Sequence, residues 1–110
     1  MTRPYLPPIE APDLAQVQAW TGASLLEFGT DWCGHCRAAQ AAIAEWLNDP
    51  AGPPARLQHV KVEDGAGRAL GRHFKVKLWP TLVLLRDGQE VARVVRPTRR
   101  ADLQPLSPAP

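Results

Sequence analysis

Short apolar runs alternate with helix-forming segments along this chain, and the alternation restricts it to the α/β class of folds. The runs over 24–28 and 57–62 each lie next to a helical segment, which is typical of parallel strands joined by crossover helices. Asp87-Gly88 predicts a tight hairpin turn between strands over 81–85 and 90–95, which adds an antiparallel edge. The predicted order is αβαβαββα, with a central mixed sheet of about four strands flanked by helices.

Cap residues and strong helix formers place the helices. Asp13 can cap a first helix, with Gln16 in the capping-box position, and Gly22 is expected to end that helix. The segment over 33–47 consists of strong helix formers and predicts the longest helix. A last short helix is expected over 98–103.

The 110 residues have the size of one ordinary domain, which is long enough to bury a single core without disulfides. Residues 1–12 carry four prolines and are expected to form an irregular lead-in. The folded domain is predicted over 13–104. Residues 105–110 contain three further prolines and are expected to form a frayed C-terminal tail.

The charges nearly balance, and a net charge of +2 is too small to indicate nucleic acid or a membrane surface as a partner. Four of the ten arginines lie near the C-terminal end: Arg93, Arg96, Arg99 and Arg100. We expect them on a solvated strand edge and helix start, with a binding patch as the alternative. No apolar run approaches the ~20 residues of a membrane span, and the first residues lack a hydrophobic signal core. We expect a monomeric cytoplasmic protein, although the mature domain of an exported protein would look the same.

The only two cysteines, Cys33 and Cys36, are three positions apart. A bridge that closes so short a loop does little to restrain an unfolded chain, so the pair indicates redox chemistry or metal binding. Cys33 lies at the first turn of the predicted helix, where free N–H groups and the helix dipole favour a thiolate. Cys36 lies one turn deeper. We therefore expect Cys33 to attack a disulfide and Cys36 to resolve the mixed disulfide.

Two further residues have candidate roles at this pair. His35 lies between the cysteines, where a protonated imidazole would stabilise the Cys33 thiolate and make the disulfide more oxidising. The alternative for His35 is an exposed residue without a role. Glu27 lies inside an apolar strand, and a buried carboxyl there would have a raised pKa and could pass protons near neutrality. The alternative for Glu27 is an exposed acid on an edge strand.

Trp32 and the run Cys33-Gly34-His35-Cys36 follow a strand, and Pro80-Thr81 precedes another strand 44 residues after Cys36. In this combination, over residues 13–104, the chain resembles the thioredoxin family. The resemblance implies the thioredoxin fold and thiol–disulfide exchange with protein disulfide substrates. It also implies a reductase or other thiol donor as partner, no cofactor, and a cis peptide bond before Pro80, which would face the cysteines.

The resemblance extends to the surroundings of the pair, with departures. Glu27 stands where the family keeps a buried Asp, and Lys61 matches the family lysine that neighbours that acid. Gly29 replaces the family's second Trp, so part of the surface beside the site is expected to be missing. Ala41 replaces a helix-kinking Pro, so the longest helix should be straighter.

The Gly34-His35 insert is similar to that of protein disulfide isomerases. Reduction potentials are about −180 mV for the isomerase and about −270 mV for thioredoxin. We therefore expect this pair to be more oxidising than that of ordinary thioredoxin, with His35 supplying part of the difference.

By the same resemblance, Trp32, Trp79 and Arg96 border the substrate groove around Cys33. Pro80 has no N–H, so main-chain pairing with a substrate must come from Trp79 or Arg96. The indoles offer apolar contact area. Arg96 adds a positive charge where relatives have a small residue, which favours acidic or carboxylate-bearing partners.

A zinc module is one alternative, because the two cysteines have ligand spacing. A structural zinc site needs four ligands, commonly with a second closely spaced pair. His59 and His73 are fourteen positions apart and are expected on the surfaces of a strand and a helix.

A non-enzymatic binding module is the other alternative. Such a protein would use the Trp32/Trp79 surface to hold a partner, with Trp20 and Trp46 packed in the core. A redox-inert cysteine pair would favour this interpretation.

Overall fold

The computed structural model describes residues 3–108 and shows a four-stranded mixed sheet with helices packed on both faces. The strands are β1 (Ala23–Gly29), β2 (Gln58–Glu63), β3 (Thr81–Arg86) and β4 (Gln89–Val95). The helices are α1 (Leu14–Gln18), α2 (Gly34–Leu47), α3 (Ala69–His73) and a C-terminal 3₁₀ helix (Arg100–Leu106). The predicted element order is confirmed. The outermost residues of the expected lead-in and tail, 1–2 and 109–110, lie outside the described residues.

β1 is a central strand of the sheet, whose order is β2-β1-β3-β4. All seven residues of β1 are buried, because it has a strand on each side and helices on both faces. β1 runs parallel to β2 and antiparallel to β3, and β3 and β4 form the predicted hairpin. Asp87 and Gly88 in its turn have φ of 49° and 78°, as a tight Asp-Gly turn requires.

Successive residues of β1 point to opposite faces of the sheet and build two hydrophobic clusters. Leu25 packs beneath α2 and the 3₁₀ helix, and Leu26 packs against α1 and α3. Of the two tryptophans expected in the core, Trp46 is buried, but Trp20 is only half-buried at the edge of the second cluster. Glu27 is two residues after Leu25 and therefore shares its face. This periodicity places the carboxylate beneath the helix that begins at the cysteine pair.

α1 is shorter than expected, because it ends at Gln18 rather than at Gly22. The predicted capping box is present, with reciprocal hydrogen bonds of 2.8 Å between Asp13 and Gln16. Gly22 instead turns the chain into β1 with φ of 73°, and its N–H donates to Asp87 Oδ1 at 2.8 Å. The glycine therefore serves the contact with the β3–β4 turn and not the helix end.

The C-terminal 3₁₀ helix ends at Leu106, two residues beyond the expected domain boundary at 104. Leu103 and Leu106 are both fully buried in the cluster beneath α2. The expectation of a frayed tail from residue 105 is therefore wrong for its first two residues, because a buried leucine holds them on the core.

The proline-rich lead-in is irregular, as expected, but part of it is docked on the sheet. Leu6 forms a parallel bridge with Val62 of β2. Its N–H donates to Lys61 O at 2.8 Å, and its carbonyl accepts from Glu63 N–H at 2.9 Å. This bridge directs the preceding residue, Tyr5, into the interior, where only 4% of it is exposed.

The arginines near the C-terminal end are engaged in local contacts. Three of them form ion pairs with nearby carboxylates: Arg93 with Glu90, Arg99 with Asp102, and Arg100 with Asp49. The fourth, Arg96, donates to a backbone carbonyl. These contacts favour the structural interpretation of the cluster over a binding patch.

Candidate active site

The two cysteines lie at the start of α2. The helix begins at Gly34, one position after the expected start, so Cys33 is its N-cap residue. The Cys33 sulfur accepts a hydrogen bond from Cys36 N–H at 3.2 Å, which satisfies one of the free amides of the first turn. Both cysteines are thiols, and 7% of Cys33 is exposed against 1% of Cys36. Cys33 is therefore the more accessible sulfur.

Cys36 is held in its protonated form. Burial raises the pKa of Cys36 to about 12, and a hydrogen bond with Cys33 acts in the same direction. The Thr30 backbone N–H lowers it by donating to the sulfur, but by less than burial raises it. Cys36 must therefore lose a proton before it can attack a disulfide.

Glu27 is fully buried and accepts three hydrogen bonds. His59 Nε2 lies 2.9 Å from Oε1, Gln40 Nε2 lies 2.9 Å from Oε2, and the Tyr5 hydroxyl also donates to Oε2. Burial alone would raise the pKa of Glu27, but these hydrogen bonds outweigh burial and hold the pKa below its ordinary value. The expected raised pKa is therefore wrong, and Glu27 is a carboxylate at neutral pH.

His59 belongs to this network, although the sequence predicts a surface residue. Arg3 Nη2 lies 2.6 Å from His59 Nδ1. A guanidinium can only donate, so Nδ1 must accept, and the ring proton resides on Nε2, which donates to Glu27. Arg3 also donates to His59 O at 3.2 Å. Arg3 thus sets the orientation in which the imidazole donates to the carboxylate.

Lys61 is buried beside Glu27 but does not bond to it directly. The two residues are register partners on β1 and β2. The Lys61 ammonium donates to Arg3 O at 2.5 Å and to Gln40 Oε1 at 3.1 Å, and it lies 4.5 Å from the centre of the Tyr5 ring. Burial lowers the pKa of Lys61, partly opposed by the charge of Glu27. Gln40 therefore links the ammonium to the carboxylate.

Gly29 lets Tyr5 approach Cys36. A Cβ on Gly29 would lie 2.6 Å from Cys36 Sγ and 2.8 Å from the Tyr5 hydroxyl oxygen, far inside van der Waals contact. The hydroxyl and the sulfur thus meet over the bare Cα of Gly29. A side chain at this position would displace one of them.

Trp79, which precedes Pro80, lies beside the sulfurs. The Trp79–Pro80 peptide bond is cis, and Trp79 packs against the cluster that holds Tyr5 and both cysteines. The Trp79 indole N–H donates to Asp64 Oδ2 at 2.9 Å. Trp32 is 75% exposed, and its ring meets Trp79 edge-on, with the two ring centres 5.8 Å apart. One fixed and one exposed indole therefore border the site.

Arg96 is tied to the backbone at the same place. Its Nε donates to Trp79 O at 2.7 Å, and its backbone N–H donates to Pro80 O at 2.9 Å. Its φ of 52° is in the left-handed region, which residues other than glycine adopt at a cost. The Arg96 backbone N–H is therefore already bonded within the protein. Main-chain pairing of a substrate with Trp79 or Arg96 stays a prediction.

His35 is the second residue of α2 and is exposed between the two cysteines. Its ring can therefore approach a substrate or solvent without repacking the helix. An effect on the reduction potential, which the sequence suggests, stays a prediction.

The histidines considered for zinc do not join the cysteines. His59 is bonded to Glu27, and His73 is exposed with its ring edge-on to Phe74. Among residues 3–108, no group of three or more Cys, His, Asp and Glu side chains is arranged to hold a metal ion. In the same part of the chain, no helix is both long enough and apolar enough to cross a bilayer.

The thioredoxin family model matches residues 14–106. This chain belongs to the thioredoxin family. Thioredoxin 2 from Pseudomonas aeruginosa PAO1, solved in its reduced form, is 53% identical with a TM-score of 0.79, covering 94% of this chain and 91% of that structure. A thioredoxin from Mycolicibacterium smegmatis is 32% identical over 79 residues, which is 72% of this chain and 70% of its own length.

Other relatives are longer. Thioredoxin-2 from Pyricularia oryzae is 37% identical over 71 residues, and protein disulfide-isomerase from Datisca glomerata is 31% identical over 80 residues. The match spans 39% of the length of the first and 16% of the second. The thioredoxin fold itself is shared across these comparisons and is the one predicted.

One position at which this chain departs from the thioredoxin family lies beside Cys36. Gly29 stands where the family carries its second Trp, and the sequence predicts a missing surface there. The structure corrects this expectation, because Tyr5 from the lead-in occupies the space next to Gly29. The other departure, Ala41, lies within α2, which is continuous from Gly34 to Leu47.

Four residues of the site were not predicted: Arg3, Tyr5, Gln40 and His59. Gln40 had a usable signal, because it is four positions after Cys36 and therefore shares its helix face. The amide donates to Cys36 O at 2.9 Å as well as to Glu27. Tyr5 had only an indirect signal, since a glycine in place of a family Trp leaves room for another aromatic side chain.

Proposed function

We propose that this chain is a thiol–disulfide oxidoreductase that reduces or exchanges protein disulfides through Cys33 and Cys36. The observation that carries the proposal is the asymmetry of the pair: Cys33 caps α2 and is the more accessible, whereas Cys36 is buried and protonated. The cis bond before Pro80 and the indoles of Trp32 and Trp79 beside the pair support a disulfide-bearing peptide as substrate.

The reaction proceeds in two exchanges. The Cys33 thiolate attacks one sulfur of the substrate disulfide, forms a mixed disulfide, and releases the other substrate sulfur, which takes up a proton. Cys36 then loses its proton and attacks the Cys33 sulfur, which releases the second substrate thiol and leaves a Cys33–Cys36 disulfide. Two electrons pass to the substrate, and a reductase or other thiol donor must return them. The reverse sequence would oxidise a substrate dithiol.

Trapping with single cysteine variants tests this proposal. We expect limiting iodoacetamide to label Cys33 before Cys36, because Cys33 is the accessible sulfur. Cys36→Ser should accumulate mixed disulfides with a disulfide-bearing protein such as insulin, whereas Cys33→Ser, the matched control, should accumulate few. A wild-type pair that exchanges with neither insulin nor glutathione would contradict the proposal and favour the non-enzymatic binding module.

We further propose that the pair is more oxidising than that of ordinary thioredoxin. The position of His35, exposed between the two cysteines on the first turn of α2, supports this proposal. An imidazolium there stabilises the thiolate and hence the reduced form, which raises the reduction potential.

The equilibrium with glutathione measures this potential. We expect His35→Pro to make the pair more reducing by some fraction of the ~90 mV that separates the isomerase from thioredoxin. His73→Asn replaces an exposed histidine on α3 and should leave the potential unchanged. If His35→Pro has no more effect than His73→Asn, the histidine has no tuning role.

A further inference from the structure

We propose that the Tyr5 hydroxyl relays the proton between Cys36 and Glu27 when Cys36 attacks the mixed disulfide. The inference rests on the proposed function, since it assigns a step of the same exchange reaction. It concerns a residue of the lead-in, a part of the chain to which the sequence assigns no role.

The geometry places the Tyr5 hydroxyl between the two groups. It donates to Glu27 Oε2 on one side. On the other side it lies close to Cys36 Sγ. A Cβ on Gly29 would be 2.8 Å from the hydroxyl oxygen and 2.6 Å from the sulfur. The chain contains a single tyrosine, so no other phenol can take this place.

Several contacts fix the ring in this position. The Tyr5 backbone N–H donates to Asp31 Oδ1 at 3.1 Å, and Leu6 next to it bridges to β2. The Lys61 ammonium lies 4.5 Å from the ring centre. The charged or titratable groups around Tyr5 are Arg3 in the same segment, Glu27 on β1, Asp31 before α2, Cys33, Cys36 and Arg37 at the start of α2, and His59 and Lys61 on β2.

A hydroxyl can relay a proton without becoming charged overall. The Cys36 S–H proton moves to the Tyr5 oxygen as the Tyr5 O–H proton moves to Glu27. The phenol is neutral before and after, Cys36 becomes a thiolate, and Glu27 becomes a carboxylic acid. The thiolate then attacks the Cys33 sulfur and the substrate sulfur leaves. Burial disfavours free tyrosinate, because it raises the pKa of Tyr5 well above the ordinary value, so the two transfers must be concerted.

Reaction with 5,5′-dithiobis(2-nitrobenzoate) separates the two steps. The reduced protein releases one thionitrobenzoate when Cys33 attacks and a second when Cys36 resolves the mixed disulfide, and both are followed by absorbance. Tyr5→Phe removes only the hydroxyl. We expect the first release to change less than twofold and the second to slow about 100-fold at pH 7, with the deficit shrinking at higher pH as hydroxide replaces the relay.

Ser24→Ala is the matched control, because Ser24 is a buried residue of the same strand as Glu27 whose hydroxyl bonds to Gln58 at 3.4 Å, away from the sulfurs. It should leave both phases unchanged. A second phase that is unaltered in Tyr5→Phe would overturn the relay and indicate that water from the 360 Å³ cavity beside Cys36 takes the proton. A slowing that is equal at every pH would also overturn it, since that is the result of misplaced sulfurs.

The dependence of the rate on solvent deuterium tests the relay in the wild-type protein, without any substitution that could prevent folding. The relay moves two protons in one step. A plot of the rate of the second phase against the deuterium fraction of the solvent should therefore be curved and not straight. A linear dependence would contradict the relay. Failure of the proposed function looks different, because the wild type would then show no second phase at all.

Discussion

At the scale of the residue, the ionisation of Glu27 depends on the balance between burial and hydrogen bonding. Burial without partners favours the neutral acid. Here three donors on three different segments, Tyr5, Gln40 and His59, converge on the two oxygens and favour the carboxylate. In the proposed relay, the same carboxylate accepts a proton transiently during the exchange.

Glu27→Gln tests this balance through stability. The Gln amide cannot accept from all three donors, so we expect the free energy of unfolding at pH 7 to fall by about 2 kcal/mol or more. The lowered pKa of Glu27 contributes stability that is present above the ordinary value of 4.5 and is lost as the pH falls through the native pKa. The difference between wild type and Glu27→Gln should therefore shrink below that pH.

Urea unfolding at pH 7 and at pH 3.5 to 5 measures this difference. Glu45→Gln makes the same charge change on the exposed face of α2 and serves as the control. If the gap between wild type and Glu27→Gln widens as the pH falls toward 4, the pKa of Glu27 is raised, as burial alone would dictate.

At the scale of the element, short segments are placed by what they bury and not by helix propensity. The C-terminal 3₁₀ helix includes Pro105, yet it remains on the domain because Leu103 and Leu106 are buried beneath α2. α1, in contrast, ends early. Its last residue is Gln18, and the chain after it turns towards the β3–β4 hairpin.

Truncation of the last of these leucines tests that placement. Leu106→Ala leaves a cavity in the cluster beneath α2, and we expect it to lower the free energy of unfolding by about 2–4 kcal/mol. Gln104→Ala, on the exposed side of the same helix, should change it by less than about 0.5 kcal/mol. Equal effects of the two substitutions in urea unfolding would show that the helix is not anchored by Leu106.

At the scale of the whole molecule, the candidate active site is assembled from separate parts of the chain. β1 supplies Glu27 and the bare Cα of Gly29, α2 supplies the cysteines, and the bridge of Leu6 to β2 brings in Tyr5. The lead-in is therefore part of the catalytic apparatus proposed here, and not a linker in front of it.

The sequence by itself determined the order of elements, the hairpin, the cysteine pair and its family, because these depend on periodicity, turn chemistry and spacing within one segment. It also singled out Glu27 and Pro80, whose roles at the pair stay predictions. Only the tertiary structure decided the partners of Glu27. Tyr5 and His59 are 22 and 32 positions away from it in sequence, and only docking of the lead-in and pairing of β1 with β2 bring them within bonding distance. The sign of the Glu27 pKa shift follows from those partners, because burial and hydrogen bonding act in opposite directions.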